Sequence, residues 1–136
     1  MTRHLSIADV EALHVEMMQA MGWGPAPFRG GGEALLESAI TRPQLAEYYE
    51  DADLIRQAAP LAVGISQAQA YLDGNKRTAY HATLVFLKIN GLALQLRDGG
   101  LGLARELEKV AERADSLEAA TRRFEEWLRA QPMDAT

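Results

Sequence analysis

Residues 69–81 read Q-A-Y-L-D-G-N-K-R-T-A-Y-H, and the reading of this stretch decides both the fold and the chemistry. D-G-N ends one run of helical spacing and opens another. Asn75 stands where a helix starts, so its side chain is expected to cap while the first-turn N–H groups stay free. Gly74 allows a tight turn and a close approach of backbone to a ligand. The helix N-terminus favours an anion, and Lys76 and Arg77 add two full positive charges beside it. An arginine fork suits phosphate oxygens. Asp73 is the lone carboxylate, placed to hold Mg²⁺ together with phosphate oxygens. The plainer reading is a D-G-N turn followed by two solvated basic residues. Cations in a first turn oppose the helix dipole, however, and an anion there would compensate them.

The helical spacing extends outward in both directions. Residues 76–89 form the strongest helix, stopped by Asn90-Gly91. Upstream, about 54–71 is Ala- and Leu-rich at helical spacing, with Pro60 expected to begin the helix or kink it. A shorter helix at about 33–41 turns Leu35, Leu36, Ala39 and Ile40 inward, and Arg42-Pro43 closes it. Residues 44–52 carry no assignment. The first helix opens on a Ser6/Asp9 box and places Ile7, Val10, Leu13, His14, Met17, Met18 and Met21 on one face. Between these two helices lies G-W-G-P-A-P-F-R-G-G-G, residues 22–32, a loop long enough to point to function.

Beyond Gly91, Leu92–Leu96 alternates at period two as a candidate strand, and Gly99-Gly100 is a break. Leu103, Leu107, Val110 and Ala111 mark a further helix. Asp115 with Glu118 reads as a second capping box, opening a last helix with Leu117, Phe124, Trp127 and Leu128. The expected fold is all-α, a compact bundle of about six helices in one domain spanning 1–136.

Composition agrees. The 136 residues are 48% hydrophobic and 24% charged, an ordinary globular balance with material for one core. With no cysteine, disulfides and cysteine-based zinc sites are excluded. No apolar run approaches the roughly 18 residues that span a bilayer, and Asp9 and Glu11 interrupt any signal-peptide core. A cytoplasmic location without membrane contact is expected. A net charge of -5 argues against direct nucleic-acid binding.

The run from Gln69 to Thr78 resembles the signature H-x-F-x-[DN]-[AG]-N-K-R of the Fic/Doc family, in its Doc (death-on-curing) toxin branch. The likeness continues in order and spacing through A-L-H at 12–14, the loop up to Gly32, A-L-L-E-S-A-I-T-R-P at 34–43 and L-V-F-L-K-I-N-G at 84–91. It covers about the first 95 residues.

The resemblance implies an all-helical domain that moves a phosphorus group from ATP, with Mg²⁺, onto a protein hydroxyl. Relatives with G-N-G-R transfer AMP. In the Doc branch a lysine, here Lys76, takes the place of the second glycine, and the γ-phosphate is transferred to a translation factor, elongation factor Tu. An antitoxin's C-terminal segment blocks the site. Carried over, Asp73 positions Mg²⁺ or the acceptor, Gly74 and Asn75 hold phosphate, and Lys76 and Arg77 neutralise charge in the transition state.

One departure bears on activity: Gln69 stands at the position of the family's histidine. That imidazole takes the acceptor's proton, which an amide cannot do. The alternatives are therefore a silent pseudoenzyme that binds nucleotide or antitoxin, and AMP transfer. Tyr71 replaces the usual Phe and needs a partner for its hydroxyl. His14 is expected to pack on the apolar face of its helix. His81, one turn past Arg77, is expected to be partly buried and hydrogen-bonded rather than catalytic.

Overall fold

The computed structural model describes residues 1–112 and 115–136. Six helices are found among them: α1 (Ile7–Ala20), α2 (Gly32–Glu50), α3 (Leu54–Ala68), α4 (Asn75–Ile89), α5 (Leu101–Ala111) and α6 (Leu117–Arg129). Two three-residue strands, β1 (Leu92–Leu94) and β2 (Met133–Ala135), pair antiparallel with Leu92 opposite Ala135 and Leu94 opposite Met133. The expected all-α bundle is therefore the fold. The candidate strand is real but ends at Leu94, and its partner is the C-terminal segment, to which the sequence reading assigns no strand.

Helix α3 is the axis of the molecule. Every residue from Gln57 to Ser66 is buried, and α2, α4, α5 and α6 all pack on it. Its small side chains make this possible. Ala58, Ala59, Ala62 and Gly64 let neighbouring backbones come close, and a Cβ on Gly64 would stand 3.0 Å from the Cβ of Ala39 in α2. The core is completed by Leu36 and Ile40 from α2, Phe86 and Leu87 from α4, Leu103 and Leu107 from α5, and Phe124 and Leu128 from α6.

Three boundaries differ from the sequence reading, each for a physical reason. Arg42-Pro43 does not close α2, which runs on through 44–50. Proline removes one N–H, but Leu36, Ile40, Pro43 and Ala46 form a buried stripe whose packing outweighs that loss. Leu35, expected inward, is 48% exposed, one position off this stripe. Pro60 lies inside α3 rather than at its start, because the Asp53 side chain caps that helix by accepting from the Arg56 N–H. The cap of α6 is Ser116, accepting from Ala119 N–H at 3.1 Å, and not Asp115, whose carboxylate meets Arg123 instead. The Ser6/Asp9 box on α1 forms as expected, with both reciprocal bonds present.

Candidate active site

The motif forms the link between α3 and α4. Gln69 ends α3 in the left-handed region at φ 50°, a conformation uncommon for a residue other than glycine. Its side chain turns back, Nε2 donating to Ser66 O at 3.4 Å, and its own carbonyl accepts from Arg29 at 3.3 Å. At the other end, Gly74 at φ 82° is the N-cap of α4, and no side chain caps it. The first-turn N–H groups thus lack the side-chain acceptor that usually meets them, as an anion site requires.

Asn75, expected to be that cap, has a different task. Its Oδ1 accepts from the Tyr71 N–H at 2.9 Å and its Nδ2 donates to the Tyr71 carbonyl at 2.8 Å. The buried amide therefore staples residues 71–75 into a closed turn, and any contact of residue 75 with phosphate falls to its backbone. Asp73 is exposed, with Oδ1 accepting from the Gly74 N–H at 2.8 Å. No other acidic or histidine group joins it in a metal-holding cluster among the described residues. A lone carboxylate with a free oxygen fits Mg²⁺ only in the company of phosphate oxygens.

Lys76 and Arg77 are exposed, and neither makes an ion pair with a described residue. Both line a cavity of about 570 Å³ between α4 and the start of α5, together with Tyr80, His81, Gly100 and Glu108. Gln69 and Asp73 lie outside that lining. A larger hollow of about 710 Å³, between α2, α3 and α6, contains no motif residue. The chemistry therefore favours the smaller one. His81 is exposed rather than partly buried, and it makes no hydrogen bond to a described residue. Desolvation and the Arg77 charge lower its pKa.

Two features beneath the motif escaped the sequence reading in detail. The first is a chain of hydrogen bonds through His14, which is 1% exposed. Ala26 N–H donates to Nε2 at 3.3 Å, so the ring proton resides on Nδ1 and is given to Thr78 Oγ1 at 3.0 Å. Thr78 in turn donates to the Gly74 carbonyl at 2.8 Å, fixing the start of α4. Burial lowers the pKa of this histidine, although the Asp73 charge opposes the shift. Its position on the apolar face of α1 was legible; its bond across to α4 was not.

The second is the 22–32 loop, which is stitched along the motif. Arg29 N–H donates to Ala70 O at 2.8 Å and Leu72 N–H to Pro27 O at 3.0 Å, around a Phe28–Tyr71 bridge. Glycine is required at position 32, the start of α2, since a Cβ there would stand 2.1 Å from Ala70 O. Tyr71 is sandwiched between His14 at 3.7 Å and Phe28 at 4.7 Å. Its hydroxyl is buried without a partner among the described residues, and burial raises its pKa to about 12. The phenol thus fills the place of the family's Phe without gaining a hydrogen bond.

The profile of the Fic/DOC family matches residues 4–87, which includes the whole motif and the loop against it. The chain belongs to the Fic/Doc family. Over 62 residues it is 45% identical to the Toxin Doc of Mycolicibacterium smegmatis, a match covering 44% of this chain and 48% of that protein. Over 120 residues it is 32% identical to the Protein kinase doc of Escherichia phage P1, covering 85% of this chain and 93% of that one. Within the Fic/Doc family these relatives support the Doc branch. No helix among the described residues is long and apolar enough to cross a membrane.

Proposed function

We propose that this chain is a Doc-type toxin that transfers the γ-phosphate of ATP to a hydroxyl of a protein, a translation factor of the elongation factor Tu kind. The observation that carries the reading is the uncapped, glycine-led N-terminus of α4 with Lys76 and Arg77 unpaired beside it. The near full-length likeness to a relative named as a protein kinase supports phosphoryl over AMP transfer. The name Toxin Doc supports a toxin restrained by an antitoxin, whose C-terminal segment would lie over this site.

In the reaction the acceptor oxygen bonds to the γ-phosphorus as the bond to ADP breaks, and the hydroxyl proton must leave. Lys76, Arg77 and the first-turn N–H groups hold the phosphoryl oxygens and offset their charge. Mg²⁺ beside Asp73 would supply further charge neutralisation. Gln69 can orient the hydroxyl but has no basicity, so positioning and electrostatics operate without the general-base contribution of about 10²–10⁴-fold.

A second reading rests on the same residue. With its amide tied back to Ser66 O, Gln69 suits a binding module that holds nucleotide or antitoxin without turnover. Incubation with γ-labelled or α-labelled ATP, Mg²⁺ and a bacterial lysate separates the readings, using the chain and its Gln69→His variant. Label from the γ position on one dominant protein supports the kinase. Label from the α position replaces phosphoryl transfer with AMP transfer. No label from either form, with ATP still bound, leaves only the binding module.

A further inference from the structure

On the α2–α3 side of the motif lies a cavity of about 430 Å³ lined by Arg29, Ser38, Arg42, Gly64, Gln67 and Ala68, with Gly30 and Leu35 at its edge. It contains two arginines and, among the described residues, no acidic side chain. Arg42 is the unusual one. Its Nη1 is shut off from solvent and has no hydrogen-bond partner among the described residues. Among the described residues none of its nitrogens makes an ion pair, and burial pushes its pKa below the usual arginine range. Arg42 also borders the neighbouring α2–α3–α6 hollow, but of its carboxylates Glu50 is held by Arg56, Glu125 by Arg56 and Arg129, and Glu118 forms no ion pair with Arg42.

A partly desolvated guanidinium without a counter-charge is costly. Here the fold makes room for it, because a Cβ on Gly64 would stand 3.2 Å from Nη1. Arg29 completes the cavity from the loop, and among the described residues its guanidinium has only the Gln69 carbonyl as partner. We propose that this cavity is an oxyanion site, distinct from the start of α4, in which Arg42 and Arg29 grip a phosphate or carboxylate group. A carboxylate is planar and a phosphate tetrahedral, but each offers two oxygens to an arginine fork. The site touches the motif through Arg29, which holds the Gln69 carbonyl and, through its backbone, Ala70. It is independent of whether the chain turns over ATP.

The test is titration of the full chain at low ionic strength with inorganic phosphate and, separately, with succinate, followed by backbone amide NMR. Saturable shifts at Gly30 and Gly64 are expected with at least one probe, and the probe that saturates tells phosphate from carboxylate. A Lys76→Gln/Arg77→Gln variant should keep those shifts, while Arg42→Gln or Arg29→Gln should weaken them by about tenfold or more. Arg29 is on a surface loop, so its variant serves should Arg42→Gln fail to fold. Ser38→Asp, one turn before Arg42 on α2, should supply the missing charge from within, raising Tm and abolishing probe binding. Shifts confined to Gly74 and Asn75, shifts that survive both arginine variants, or Ser38→Asp leaving Tm and binding unchanged would each overturn the proposal.

Discussion

Asn75 shows what a single side chain does in this site. Because its amide meets both backbone groups of Tyr71 in a buried turn, Asn75→Ala leaves two polar groups without partners. The expected cost is about 2–4 kcal/mol by denaturant unfolding, with phosphate binding lost as the turn opens. Asn75→Asp keeps one of the two bonds and should fall between. His14 makes the stability depend on pH. Its folded pKa lies below the ordinary 6.5, so the unfolded chain takes up the proton first as pH falls. The contribution is complete above about 6.5 and lost below it. Denaturation at pH 7.5 and 5.5 should show the decline, and it should persist in His81→Ala, which removes the other histidine whose pKa is lowered. The identities of these residues were legible in the motif and in A-L-H. Their partners were not, because a sequence names a polar group without saying which buried backbone group it meets.

At the scale of elements, the α2–α3 contact decides how tightly the bundle closes. Gly64→Ala places a methyl 3.0 Å from Ala39 Cβ and 3.3 Å from Ala39 Cα, where backbone must give way. We expect a loss of about 1–3 kcal/mol in unfolding free energy, against the small gain in helix propensity that alanine brings. An unchanged or raised Tm would show that α2 can shift freely. The same contact explains why Arg42-Pro43 misled as a helix end. Proline is a local stop signal, but Pro43 faces α3 within a buried stripe, and the decision was made by packing. The loop at 22–32 was recognised as a loop from its glycines and prolines. That it runs antiparallel to the motif required the fold, since residues 27–29 and 70–72 meet only when α1, α2 and α3 are in place.

For the whole molecule, the N-terminal segment acts as a clasp. Thr2 N–H and His4 Nε2 both meet the Glu47 carboxylate of α2, and Gln57 of α3 donates to Thr2 Oγ1. Asn90 at the end of α4 holds the backbone of Arg3 through both its amide atoms. Hydrogen bonds from Thr2 and His4 lower the Glu47 pKa from 4.5 to about 2. That carboxylate therefore stabilises the fold above about 4.5, and its contribution disappears as pH falls toward 2. Thermal melts from pH 6 to 2 should show Glu47→Gln lowering Tm at the upper end and flattening the acid decline. An unchanged profile would mean that the clasp holds nothing. The paired C-terminal strand closes the same edge, since β2 lies on β1 directly after α4.

By itself the sequence determined the helical class, the place of the motif and the types of charge available to it. These follow from short-range properties: hydrophobic period, cap and turn residues, and the run D-G-N-K-R. Tertiary structure alone decided that Asn75 ties a turn instead of capping a helix, that His14 reaches Thr78, that α2 survives Pro43, and that Arg42 is left without a counter-charge. Each of these depends on which distant group is buried beside which, and burial is what makes an unmet polar group expensive.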